Sequence, residues 1–148
     1  MGVPAAALRA RDVRAEVDFG SLGTNDLGQY TMAADRMQGE LATLLDPWQP
    51  AVLDLVAAAC DGGRETGKPV GVCGEAAADP LLALVLTGLG VSSLSMAPTR
   101  VSAVRASLSL HDLRTCTAMA AAARAATSPQ DAHKAVLALA NTLITDLV

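Results

Sequence analysis

The stretch VDFGSLGTNDLGQYTMAADR, Val17–Arg36, decides how the chain is organised, because a short apolar run, a turn of small polar residues and a helix start follow one another directly. Val17 to Leu22 reads as a buried strand, and Gly23 permits a tight exit from it. Asn25 to about Arg36 reads as a helix whose orphan N–H groups Thr24 or Asn25 can cap, and whose dipole favours the carboxylate of Asp26. A carboxylate, an amide and free backbone donors at the carboxyl end of a strand are what a phosphate or a metal-bridged anion requires. Taken alone, Thr24-Asn25-Asp26 is also the ordinary cap of a βα turn.

Working outward, Pro4 to Glu16 reads as a helix with proline at its first turn and a partial apolar face of Ala5, Leu8 and Val13. Beyond the turn, Gln38 to Pro50 reads as irregular chain broken by Pro47 and Pro50. A helix follows from Pro50, with Val52, Leu55, Val56, Ala59 and Cys60 on one stripe; Gly62-Gly63 is expected to weaken it and Gly67-Lys68-Pro69 to end it. Val70 to Cys73 is a second short strand. Asp79-Pro80 then caps a helix through Leu89 that is apolar nearly all round and so expected to be well buried. Gly90 to Met96 reads as a third strand, followed by a helix across Val101, Val104 and Leu108 and another over His111 to Ala126. Ser128-Pro129 opens a last helix whose Ala132, Val136, Leu139, Ala140, Leu143 and Leu147 share a face.

Composition sets the outer bounds. The chain has 148 residues, of which 51% are hydrophobic, 18% charged and 2% aromatic. That is one domain's worth of folded protein with a core of Ala, Val and Leu. A net charge of −4 without a basic, aromatic-interleaved stripe argues against nucleic acid. Cys60, Cys73 and Cys116 have neither metal-ligand spacing nor a disulfide pattern, which fits a reducing cytoplasm. Cys60 and Cys116 lie among helical alanines and leucines, so Cys60 is expected as a small core residue. His111 and His133 lack ligand partners at useful spacing and are expected at the surface. The longest apolar run, Pro80 to Val91, falls short of the about 18 residues a membrane span needs, and the start shows no signal-peptide pattern.

Strand, helix, strand, helix, strand, helix is the pattern of parallel βαβ units, so the fold expected is α/β, a partial (β/α) TIM-type barrel of about three parallel strands. Gly23-Thr24-Asn25-Asp26-Leu27, with Gln29-Tyr30-Thr31 and Asp35-Arg36, resembles the phosphoenolpyruvate-binding segment of Enzyme I, the phosphoenolpyruvate-protein phosphotransferases of the bacterial sugar phosphotransferase system. The resemblance runs along essentially the whole chain. It implies that residues 1–148 form the last part of that family's carboxy-terminal barrel, from the helix before its sixth strand onward. Pyruvate phosphate dikinases and phosphoenolpyruvate synthases share the first half of the segment but look less like its Gln-Tyr-Thr continuation.

A second anchor is Cys73, in Gly71-Val72-Cys73-Gly74-Glu75. A lone cysteine after a strand is usually packing; this one is followed by glycine at a strand's carboxyl end, where barrel enzymes place chemistry. The Cys-Gly-Glu centre resembles the Enzyme I motif whose cysteine acts as a proton donor. A thiol suits that step, because the enolate left when phosphoenolpyruvate loses its phosphoryl group takes a proton at carbon, and an ordinary thiol is still protonated near neutral pH. By resemblance, Asn25, Asp26 and Arg36 bind substrate around Mg2+, and Asp26 is also the metal ligand.

The departures are as informative. Where the family carries a second magnesium-ligating glutamate, this chain has Gly2, so metal binding by the chain alone is expected to be weak or absent. Gly28 stands where the family tends to have Thr or Ser. The phosphohistidine domain and the earlier strands with their phosphate-binding arginines have no counterpart here. The resemblance therefore implies a phosphotransferase of phosphoenolpyruvate, acting on a phosphocarrier protein through an amino-terminal domain, in a cytoplasmic homo-oligomer, with the isolated chain inactive. A non-catalytic half-barrel assembly module is the alternative.

Overall fold

The computed structural model describes residues 1–146. Three parallel strands, β1 (Gly20–Gly23), β2 (Val70–Cys73) and β3 (Ser93–Ser95), form one sheet in the order β1-β2-β3. Gly20 pairs with Val70 and Gly23 with Cys73, which brings the two sequence anchors side by side at the carboxyl end. Helices flank the sheet throughout: α1 (Pro4–Leu8), α2 (Ala10–Ala15), α3 (Thr24–Met32), α4 (Pro50–Thr66), α5 (Glu75–Ala78), α6 (Pro80–Leu89), α7 (Pro98–Ser109), α8 (Leu113–Ala125) and α9 (Pro129–Leu137). The fold is α/β and consistent with part of a β/α barrel.

The core is organised on α6. Leu81, Leu82, Leu84, Val85 and Leu86 are all at most 1% exposed, each contributing about 2 kcal/mol by burial. Helices α4, α7, α8 and α9 surround it. Contact with α8 depends on Gly88, since a Cβ there would run into the Cys116 carbonyl. Asp79 caps α6 as its sequence suggests, accepting from the N–H groups of Leu81 and Leu82 at 2.8 and 3.0 Å. Ser107 Oγ, fully buried on α7, donates to the Pro80 carbonyl at 2.6 Å and ties that helix to the same turn.

Several element boundaries differ from the sequence expectation. The upstream helix breaks at Arg9 into α1 and α2. The break lets α2 approach α4 closely, so that a Cβ on Gly62 would lie 2.6 Å from the Arg11 nitrogen. That approach also explains why Gly62-Gly63 do not weaken α4, which runs unbroken to Thr66; a Cβ on Gly63 would meet Val70 Cγ2 at 2.6 Å. β1 begins at Gly20 and leaves Val17 and Phe19 exposed, and Arg14 packs against Gly20. The buried guanidinium donates from Nη1 to the Pro69 carbonyl at 2.6 Å, and a Cβ on Gly20 would stand 2.8 Å from Nη2.

Downstream, α3 ends at Met32 with Ala33 left-handed at φ 51°, so Arg36 lies beyond the helix. The segment expected to be irregular contains a 3₁₀ helix, Gly39–Leu45, and β3 is shorter than Gly90 to Met96. The last helix stops at Leu137, and a 3₁₀ segment, Thr142–Asp146, follows. The turn between them is fixed by Asn141, whose N–H donates to His111 Nε2 at 3.0 Å while its Oδ1 accepts from Leu143 N. Ala132 and Val136 are buried as expected, Leu139 and Leu143 are exposed, and Leu147 lies outside the described residues.

Candidate phosphate-binding site

The turn after β1 is not capped by a side chain. Gly23 is the N-cap of α3, and Thr24, one of the two expected caps, instead donates from Oγ1 across the sheet to the Cys73 carbonyl at 3.1 Å. The first N–H groups of α3 therefore have no side-chain cap, the arrangement that receives anions.

Asp26, in the first turn of α3, accepts from Arg36 Nη2 at 2.9 Å. Both side chains are about half exposed, at 52% and 54%, so the pair adds little stability and presents its charges to solvent. Asn25 and Arg36 line one cleft of about 200 Å³, together with Thr24, Gly28, Val52 and Glu75. Leu45, Asp46 and Pro47 close its far side.

Cys73 ends β2 beside this turn. Its Sγ–H points at the Leu22 carbonyl at 3.5 Å. Gly74 carries the chain away at φ +104°, a conformation that suits glycine, and a Cβ there would stand 3.1 Å from Asn25 Oδ1. The other two thiols are buried, and burial pushes Cys60 up to about 11 and also raises Cys116.

The four sequence-derived residues thus gather at one end of the sheet: Asn25, Asp26 and Arg36 around one turn, and Cys73 on the adjoining strand. Sequence reading gave no role to the segment before Pro50, which walls the cleft. Glu75, quoted only as part of the Cys-Gly-Glu motif, lines the cleft and a second one of about 530 Å³ bounded by Asp79, Arg100 and His133.

For magnesium the turn offers few donors. Among the described residues no group of three or more His, Cys, Asp or Glu side chains converges on a point. Asp26 is a single carboxylate already engaged by a guanidinium, and the neighbouring Gly2 offers no side chain. A single paired carboxylate leaves most of magnesium's oxygen ligands to be supplied by substrate and water.

A parallel α/β sheet gathers an uncapped helix start, a carboxylate–guanidinium pair and a thiol at its carboxyl end, the place where open α/β sheets put their ligands. Residues 1–113 match the family model described as PEP-utilising enzyme, PEP-binding domain. The chain belongs to that family. It is similar to the phosphoenolpyruvate-protein phosphotransferase of Streptomyces coelicolor, 59% identical over 137 residues, which cover 93% of this chain and 25% of that protein. The phosphoenolpyruvate-protein phosphotransferase of Geobacillus stearothermophilus is 48% identical over 106 residues, 72% of this chain and 18% of its own length. The multiphosphoryl transfer protein of Xanthomonas campestris is 49% identical over 106 residues, 72% of this chain and 13% of its own. The chain spans a quarter or less of the length of these relatives.

Proposed function

We propose that the chain forms the closing part of a phosphoenolpyruvate-binding barrel and supplies part of the substrate site of a phosphoenolpyruvate-protein phosphotransferase. The observation that carries this reading is the meeting of Asn25 and Arg36 in one cleft beside the strand end that bears Cys73. The start of α3 and the Asn25 amide receive the phosphate, Arg36 neutralises charge, and Asp26 holds Arg36 in place. When the P–O bond breaks and the phosphoryl group passes to a histidine, the enolate carbon takes the Cys73 proton and leaves a thiolate. In reverse the thiolate removes it. The histidine then hands the phosphoryl group to a carrier protein.

The same reading assigns the chain to the cytoplasm. Cys60, Cys73 and Cys116 are all free thiols, and no helix of the described residues is long and apolar enough to cross a membrane. It further makes the chain a homo-oligomer through its sheet edge, with magnesium held only when a second carboxylate is supplied.

The test is an amide-resolved titration with millimolar phosphoenolpyruvate and magnesium chloride. Gly28 and Arg36 are expected to shift, and Arg36→Ala to abolish the shift while changing unfolding stability by less than about 1 kcal/mol, as for other exposed ion pairs. Pyruvate formation by the chain alone is expected to be nil. No shift anywhere around α3 would overturn the reading.

A further inference from the structure

Residues 35–47 arch over the candidate cleft, and none of them is buried; the nearest buried residues on either side are Ala34 and Trp48. The arch carries Arg36 at one end and the cleft wall of Leu45, Asp46 and Pro47 at the other. Where this wall sits therefore depends on how Trp48 is held.

The chain's single tryptophan is held from two elements. Its indole Nε1 donates to Asp79 Oδ2 at 3.1 Å, on a carboxylate whose other oxygen is already fixed by the start of α6. Its ring meets the His133 ring edge-on, with centroids 5.0 Å apart and planes at 70°. Its own N–H closes a local turn onto Asp46 Oδ1 at 2.9 Å, which links the ring directly to the wall. His133, on α9, lies beyond residues 1–113 that the family model covers.

We infer that Trp48 is a positioning residue for the cleft, and that α9 acts on the cleft through the contact of His133 with Trp48. An indole fixed by a charged acceptor and an aromatic edge holds the backbone leading into it to a small range, and recognition groups placed by such a backbone lose affinity when it drifts. The effect on ligand rests on the proposed phosphate-binding function; the effect on the wall does not.

The experiment compares the full chain with Asp79→Asn, His133→Ala and His133→Phe. Asparagine at position 79 keeps an oxygen for the α6 cap but turns an –NH2 toward the indole donor. The readouts are acrylamide quenching of Trp48, amide exchange of residues 44–46, and phosphoenolpyruvate affinity from the Gly28 shift. Asp79→Asn and His133→Ala are expected to raise quenching and exchange and to weaken binding by about tenfold. His133→Phe is expected to restore all three, which a loss of general stability would not predict. Increased quenching with unchanged exchange and affinity would overturn the inference. So would unchanged quenching in His133→Ala, the half-buried variant that retains the α6 cap if Asp79→Asn fails to fold. Should the unaltered chain bind no phosphoenolpyruvate, the functional reading fails, and faster or unchanged exchange at 44–46 still decides the inference for or against.

Discussion

A Cβ on Gly2 would lie 3.1 Å from Asp26 Cβ and 3.5 Å from its Oδ2, so the two positions share one small space at the mouth of β1. The Enzyme I resemblance puts a ligating glutamate at Gly2. Substituting Gly2→Glu, with a shift of a few tenths of an ångström at Asp26, sets two carboxylates together, the number magnesium commonly takes from protein. Calorimetry is expected to show millimolar magnesium binding at best in the unaltered chain and about tenfold tighter binding in the variant. Adding Asp26→Ala should remove the gain. No gain would mean that Asp26 faces something other than the metal.

The three thiols should react in a fixed order. Cys60 and Cys116 are buried and less acidic than an ordinary thiol, whereas Cys73 is partly exposed at a strand end. Because thiolate is the reactive form, brief iodoacetamide treatment near neutral pH is expected to alkylate Cys73 alone. Peptide mapping that finds Cys60 or Cys116 modified first would remove Cys73 from the site.

Cys60 also makes stability depend on alkaline pH. Its value is raised from 9.0 to about 11 on folding, so the native state holds a proton that the unfolded chain releases first. The resulting stabilisation is complete below about pH 9 and fades as pH climbs toward 11, a loss of about 2–3 kcal/mol. Urea unfolding at pH 8 and pH 10.5 is expected to show a smaller drop for Cys60→Ala than for the unaltered chain. Equal drops would assign the alkaline loss to other groups.

Association is expected at the β3 edge. Among the described residues β3 pairs only with β2, and beside it lies a groove of about 390 Å³ lined by Val91, Leu94, Met96, Val101, Val104 and Leu108. An unpaired parallel edge with an apolar flank favours pairing with another chain. Sedimentation velocity is expected to shift with concentration through the micromolar range, and Val101→Lys, at an exposed position, to reduce the shift. A concentration-independent monomer would count against it.

What could be read from the residues alone was mostly punctuation and periodicity. Asp79-Pro80 and Ser128-Pro129 open helices where expected, because a side-chain cap followed by proline is a local signal that packing need not complete. Asn25, Asp26 and Cys73 could be grouped from their places just after strands, whereas Arg36, beyond α3, was named through the family resemblance alone. Arg14 was not: a basic residue on a polar-looking helix gives no hint that Gly20 leaves room for it inside. Nor was the Gly62-Gly63 pair, which looks like a break until the approach of α2 and β2 is known. Trp48 and His133 are far apart in sequence, and their contact depends on where α9 comes to rest.

Gly88 sets a limit of another kind. On the rest of α6 one aliphatic side chain can often replace another of similar volume, because a core of leucine and valine tolerates rearrangement. At Gly88 the helix meets the backbone of α8, with the Cys116 carbonyl in the place of the missing methyl group, and there is no side chain on the other side to give way. In evolutionary terms the most permissive-looking helix of the chain contains a position with a single acceptable letter. Repacking of the α6 leucines is therefore bounded by a fixed distance between two backbones at Gly88.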